Sequence, residues 1–271
     1  MMIIWGIYKF YSSLEILDMK EKIRNLFNNF INHYKEINTI KTKWRAPLIA
    51  FANAKDPLFN QLKQVVDKDH KHPRELLKNA NSVISFFIPF NEEIVLSNSK
   101  GVNASKNWAI AYIETNKLLI ELTKYVANYL EEESYDCFQI APTHNFDEKR
   151  LISYWSHRHI AYIAGLGKLG IHNMLITEKG CCGRLGSLIT SASIDATERS
   201  EKEYCLFFQD GSCKQCIDKC LVGALNLDSF DRYKCYEICK RNEGLYSLHG
   251  VSDVCGKCAC GIPCSLKNPC K

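Results

Sequence analysis

The apolar positions of this chain change period several times, and each change predicts an element. Over residues 19–39, Ile23, Phe27, Phe30, Ile31 and Tyr34 recur three or four apart, which lines one face of a helix. A second amphipathic helix is predicted over about 56–68. His72-Pro73 opens a short helix through Leu77, because proline suits a helix's first turn. Ser82–Pro89 is an unbroken apolar run with the length of a buried strand. An Asn- and Ser-rich loop over 91–104 leads to a long helix over about 105–132, for which Ser105 is the natural cap. Beyond it we expect strands at 135–142, 174–177 and 185–193, with a helix over 153–164. This order of elements is that of an α+β domain. The charged segment 195–204 ends the pattern. The expected organisation is an N-terminal helical segment over 1–40, an α+β cofactor- or substrate-binding domain over 41–200, and a cysteine-rich module over 201–271.

Composition narrows the setting. The 271 residues are 46 % hydrophobic and 24 % charged, as in ordinary globular proteins. A net charge of +5, spread along the chain, permits an acidic partner without demanding nucleic acid. Lys9 and Glu15 interrupt the apolar opening stretch, which has no basic leader region, and Met19 is a candidate start beside Met1. No run reaches the 18 apolar residues of a membrane helix. A cytoplasmic, reducing home is expected, where clustered thiolates hold metal.

Eleven of the fourteen cysteines fall in the last 70 residues. Their core reads Cys213-x2-Cys216-x3-Cys220, then Cys235 and Cys239, then Cys255-x2-Cys258-x-Cys260-x3-Cys264. A two-cluster ferredoxin run is C-x2-C-x2-C-x3-C, its fourth cysteine ligating the other cluster. Asp210 stands at the first position here, with Cys205 nearby as a substitute. Zinc wants four ligands in two pairs, a pattern these interleaved spacings exceed. The crossing rule assigns Cys205, Cys213, Cys216 and Cys264 to one [4Fe–4S] cluster and Cys220, Cys235, Cys255 and Cys258 to a second. Cys239, Cys260 and Cys270 are left over, and Cys260 could replace a neighbour. Two clusters would also staple a segment poor in apolar residues.

Gly165-x-Gly-x-x-Gly170 matches the dinucleotide fingerprint in form, but a helix precedes it and a strand follows. That is the reverse of what pyrophosphate binding requires. A Gly-rich turn ending a helix is the expectation, with the further question whether it lines a cofactor cavity. His157 and His159 lie just before the turn and could supply protons near neutral pH. The vicinal pair Cys181-Cys182 has no third thiol close in sequence, so a packing or backbone role is expected.

Taken together, AGLGKLGIHNMLIT, GCCGRLGSLIT and GSCKQCIDKCLVGAL resemble the epoxyqueuosine reductases. His72-Pro73-Arg-Glu-Leu-Leu77 with Ser82-Val-Ile-Ser85 is similar to their N-terminal region, so the likeness covers about 45–265. The resemblance implies a nitroreductase-like, cobalamin-binding α+β domain, a fold shared with reductive dehalogenases, followed by a double-cluster ferredoxin-like module. It further implies that Gly165, Gly167, Gly170, Asn173, Gly183 and Gly186 line a corrin cavity, faced by His157. The family's catalytic aspartate, in an Asp-Thr-x-Pro stretch, would fall near Leu151; the nearest carboxylates are Asp147 and Glu148. The helical-repeat domain that follows the clusters in many members has no counterpart in this sequence.

The expected function is an iron–sulfur oxidoreductase that relays electrons through two [4Fe–4S] clusters to a corrinoid or a substrate. His157, His159 or Glu148 would supply protons, and a low-potential ferredoxin or flavodoxin the electrons. The alternatives are a non-catalytic electron carrier, a corrinoid-reducing activator, and epoxyqueuosine reductase itself acting on tRNA.

Overall fold

The computed structural model describes residues 18–271, and the expectations for residues 1–17 lie outside the described residues. In chain order the elements are α1 (Met19–Ile37), β1 (Leu48–Asn53), α2 (Leu58–Val65), α3 (Pro73–Leu76), β2 (Ser82–Pro89), α4 (Glu92–Ser97) and α5 (Lys106–Glu132). There follow β3 (Cys137–Gln139), the hairpin β4 (Phe146–Asp147) and β5 (Ile152–Ser153), α6 (His157–Ile163), β6 (Gly167–Leu169), β7 (Leu175–Thr177) and β8 (Gly183–Thr190). The cysteine-rich end carries α7 (Leu206–Asp210), α8 (Gln215–Asp218) and α9 (Arg232–Tyr246).

A four-stranded sheet of order β1-β2-β8-β3 organises the molecule, and every neighbouring pair is antiparallel. Phe51 lies opposite Ile84, Ile84 opposite Leu188, and Ile189 opposite Phe138. Strand β2 is buried along its whole length, which explains its unbroken apolar run. Ile84, Phe86 and Ile88 face the cluster built from α1 and α5, whereas Val83 and Phe87 face Trp155, Ile160 and Phe59. Both sheet faces are therefore covered.

Local chemistry sets the helix starts. Asp18 accepts from the Glu21 N–H at 2.8 Å, and Ser105 Oγ accepts from the Trp108 N–H at 3.1 Å, as its N-cap position predicts. At α3, His72 Nδ1 accepts from the Arg74 N–H while Glu75 accepts from the His72 N–H. The expected elements are present, with four differences. The strand expected at 135–142 shrinks to Cys137–Gln139, an edge strand exposed at Phe138 and Gln139. The loop over 91–104 contains α4, capped by Asn91. The helix expected from 153 starts at His157, because Ser153 joins the β5 strand and its hydroxyl bonds Asn145 and Trp155. Strand β1 occupies a stretch to which the periodicity assigns no element; Ala50 and Ala52 face one core cluster and Phe51 the other, so no polar alternation marks it.

The cysteine-rich end is built into the same core. Cys205, Cys216, Leu225, Val254, Cys260 and Cys264 belong to the apolar cluster that begins at Ile23. Backbone bonds join Cys181 N–H to the Cys264 carbonyl (2.9 Å) and Cys182 N–H to the Ser265 carbonyl (3.2 Å). The Asn242 side chain accepts from the Ala104 N–H and donates to the Val254 carbonyl. Among the described residues no helix is long and apolar enough to cross a membrane.

Candidate metal centres and the adjoining cavity

All fourteen cysteines are free thiols. Cys205, Cys213, Cys216 and Cys264 line one small hollow, walled by Ile171, Ile262, Pro263 and Pro269. These four are contributed by the start of α7, the loop after it, α8 and the C-terminal loop. A second hollow of about 330 Å³ is lined by Cys220, Cys235, Cys255 and Cys258, with Cys239 and Cys181 also at its wall. Trp108 and Tyr112 of α5 close it. The fold thus brings each of the two sequence-derived sets of four to its own hollow. The hollows are close enough for Cys216 of the first set to oppose ionisation of Cys258 of the second.

Burial and crowding raise these thiols. Cys216 is pushed up to about 12 by burial and by Cys264 and Cys205. Burial and Cys255, Cys235 and Cys220 push Cys258 up. Cys235 and Cys239, one turn apart on α9, share a hydrogen bond that holds Cys235 down and Cys239 up, so Cys235 ionises first. Of the remaining thiols, Cys260 is fully buried beside Cys182 (3.9 Å) and Asn98 (3.5 Å) and lines neither hollow. Cys270 lies near Cys205. Crowded neutral thiols are the donor set a cationic iron centre stabilises as thiolates, with release of their protons. The donor residues therefore fit two clusters.

The vicinal pair has partners that sequence distance concealed. His172, Cys181 and Cys264 place their ligand atoms within 4.8 Å of one another, all buried. His172 Nδ1 accepts from the Met174 N–H at 3.1 Å, so the neutral ring carries its proton on Nε2. That Nε2–H points at Cys264 Sγ, 3.4 Å away. Cys182 Sγ lies 3.1 Å from the Ala259 carbonyl. The turns before and after β7 meet a distant C-terminal loop here, and only the fold brings them together.

A third, open cavity of about 710 Å³ adjoins the second hollow. Met174, Cys181, Gly183 and Arg184 belong to both walls. His157 and His159 line it. His157 is fully engaged: Nε2–H donates to the Ala141 carbonyl (2.9 Å) and Nδ1 meets Ser187 Oγ (2.9 Å), itself bonded by Trp155 Nε1–H. His159 Nδ1 meets Ser156 Oγ at 2.7 Å, and its Nε2 has no partner among the described residues. Glu148 is exposed at the tip of the β4–β5 hairpin, outside the cavity lining. Asn173 and Gly183 line the cavity, but Gly165, Gly167, Gly170 and Gly186 do not. A Cβ on those four would run into the Glu198 carbonyl, the Ile176 carbonyl, the His172 ring and the Phe86 ring respectively. Gly165 also has φ +86, the left-handed end of α6. Their smallness serves the protein's own packing.

Burial lowers His70, His157 and His159 to about 4, with Arg184 adding to the effect at His157 and Arg158 at His159. An unfolded histidine takes its proton near pH 6.5. Between about 6.5 and 4 the unfolded chain therefore binds more protons, and stability falls as pH drops through that window. Each histidine contributes a slope of up to about 1.4 kcal/mol per pH unit. Urea midpoints should be level above pH 7 and fall by pH 5, less steeply in His70→Gln. A profile flat from pH 7 to 5 would contradict this.

No family model matches this sequence, and no curated protein matches it. Solved structures of epoxyqueuosine reductases and of a reductive dehalogenase share its fold. Epoxyqueuosine reductase from Streptococcus thermophilus superposes with a TM-score of 0.57 at 16 % identity, over 94 % of this chain and 69 % of that one. The Bacillus subtilis enzyme gives 0.54 at 17 % identity over 90 % and 66 %. A catabolic reductive dehalogenase solved with 3-bromo-4-hydroxybenzoic acid gives 0.55 at 13 % identity over 82 % and 30 %. This chain spans about two thirds of the length of the reductases. Motif resemblance and fold likeness point to the same relatives.

Proposed function

We propose that this protein is an iron–sulfur oxidoreductase that carries electrons inward through two cysteine-ligated centres to a ligand in the open cavity. The observation that carries the reading is contiguity. The hollow of Cys205, Cys213, Cys216 and Cys264 neighbours that of Cys220, Cys235, Cys255 and Cys258, which shares a wall with the histidine-lined cavity. [4Fe–4S] clusters held by these eight thiolates would supply one-electron transfer at low potential. The cysteine-rich end would then be the double-cluster, ferredoxin-like module, and the rest a cobalamin-binding, nitroreductase-like domain. A reduced ferredoxin or flavodoxin is the proposed electron source.

The cavity distinguishes this reading from a simple electron carrier, which needs no ligand site. Its volume lies within the range of small-molecule and cofactor sites. Phe87, Leu185 and Met174 offer an apolar face to a corrinoid, and Asn173 and Arg184 offer polar contacts. Reduction of a substrate also consumes protons. Among the described residues His159 is the lining histidine whose Nε2 has no partner; burial keeps the ring neutral, so with Ser156 donating to Nδ1 its Nε2–H can hydrogen-bond a ligand while the proton itself comes from solvent in the open cavity. His157, with both nitrogens bonded to fixed groups, positions the wall instead.

A tRNA substrate is the second reading. It rests on a related epoxyqueuosine reductase solved with a tRNA stem loop, 19 % identical to this chain. The cavity lining contains no carboxylate among the described residues, so in that case as well the proton would come from solvent, with His159 orienting the substrate through Nε2–H. The test is anaerobic reduction with a low-potential donor in the presence of hydroxocobalamin, followed by visible and paramagnetic resonance spectra. Reduction of bound cobalamin at the rate the clusters reoxidise supports the relay. Cluster reduction with no cobalamin bound would remove the corrinoid from the scheme.

A further inference from the structure

The two thiol-lined hollows differ in charge. Besides its four cysteines, the first is lined by apolar side chains and the ring of His172, with no lysine, arginine, aspartate or glutamate. The wall of the second carries two cations, Arg184 and Lys257, and one carboxylate, Asp253. Asp253 is engaged elsewhere, accepting from the Tyr112 hydroxyl at 2.7 Å and facing the His144 ring at 3.6 Å. Arg184 is shared with the open cavity and donates to Asn116 and to the Pro142 carbonyl. Lys257 belongs to the second hollow alone.

Lys257 stands between Cys255 and Cys258 in sequence and is only 3 % exposed. A lysine is almost never buried so far without a partner of opposite charge. Yet Lys257 makes no ion pair among the described residues. Its ammonium donates to the Asn98 carbonyl (3.0 Å) and the Lys100 carbonyl (2.5 Å), in the loop after α4. That loop is tied to the second centre twice more. Asn98 Nδ2 donates to the Cys255 carbonyl (2.9 Å), and Lys219, next to Cys220, bridges the Ser99 and Cys260 carbonyls (3.2 and 3.0 Å). The ammonium is therefore fixed beside the thiols, and nothing but their ionised form offers it a counter-charge. Burial opposes its charge, whereas Cys255 and Cys260 favour it.

We propose that the Lys257 ammonium is the built-in counter-charge of the second centre and sets its potential above that of the first. This rests on reading the eight thiols as the ligands of two clusters. A cluster held by four thiolates is anionic and becomes more so on reduction, so a fixed cation beside it favours the reduced form, the more strongly where water is excluded. The first centre has only the His172 N–H at Cys264, a neutral donor 3.4 Å away, and a neutral donor acts more weakly than a charged one. One electron then passes from the reduced first centre to the oxidised second, with no bond or proton exchanged. It comes to rest on the centre that shares a wall with the open cavity.

The test is an anaerobic redox titration of the iron-loaded protein followed by paramagnetic resonance, on the wild type, Cys258→Ser, Lys257→Gln and Lys257→Arg. Cys258→Ser should lose the higher-potential couple, which assigns that couple to the second centre. Lys257→Gln keeps a donor for the loop carbonyls but not the charge. It should make the same couple about tenfold harder to reduce, about 59 mV for one electron, and leave the other couple in place. Lys257→Arg keeps the charge and should recover most of the shift. A Cys258→Ser protein that retains the higher couple overturns the proposal, and this arm decides even where Lys257→Gln folds poorly. Unshifted couples in an iron-replete Lys257→Gln protein, or a shift confined to the lower couple, overturn it too. Iron is counted in the same samples: full iron with unshifted couples strikes Lys257 alone, and wild-type protein without iron strikes the electron relay and Lys257 with it.

Discussion

Cys258→Ser should lower the iron of the purified protein from about eight atoms per chain to about four. Cys258 lies in the second hollow, where its thiol is coupled to Cys255, Cys235 and Cys220 and touches the field of Cys216 in the first. Serine keeps the volume but not the soft thiolate on which iron–sulfur ligation depends. The Cys205 set is unaltered by the change, so half of the iron should remain. Loss of metal–ligand bonds also loosens the segment they staple, and the melting point should fall with the iron. Cys137→Ser is the control, because Cys137 sits on edge strand β3, away from both hollows. A Cys258→Ser protein with full iron would remove Cys258 from the second centre.

The proposed centre starts from the sequence. Cysteine spacing alone yields the two groups of four, because ligands of a cluster pair must interleave along the chain. The long helix, its Ser105 cap and the buried strand Ser82–Pro89 were equally readable, since capping and unbroken apolarity are local properties. What sequence could not show was contact at a distance. The meeting of Cys181 with Cys264 and His172 joins positions 83 and 92 residues from Cys264, and no periodicity encodes it. The glycines are a related case. Gly165, Gly167, Gly170 and Gly186 resemble a cofactor-lining set, yet Ile176, His172, Phe86 and Glu198 occupy the space beside them. Glu148 likewise lies close to α6 in sequence and outside the cavity in space.

The second large effect is expected at Arg45. Its Nε donates to the Phe90 carbonyl (2.8 Å), one terminal nitrogen to Leu266 (2.8 Å) and the other to Lys179 (2.6 Å). One half-buried guanidinium thus ties the end of β2, the turn after β7 and the C-terminal loop that carries Cys264. Arg45→Ala leaves three carbonyls without their charged donor, at about 1.5–3 kcal/mol for each such bond. Because the three share one side chain their losses do not add in full, and a total of about 3–5 kcal/mol is expected. Lysine restores charge but not the planar fork, so Arg45→Lys should recover less than half. Urea unfolding of the anaerobic protein measures both values. A change below about 1 kcal/mol in Arg45→Ala would show that the clamp is dispensable.

In the proposed function, the two sets of thiols would hold two iron–sulfur clusters that feed the open cavity. Its most direct test is the iron, acid-labile sulfide and cobalt content per chain after anaerobic purification from cells supplied with cobalamin. About eight iron, about eight sulfide and about one cobalt are expected. About eight iron without cobalt would keep the clusters and remove the corrinoid. Zinc in place of iron, with no sulfide, would rule out both clusters.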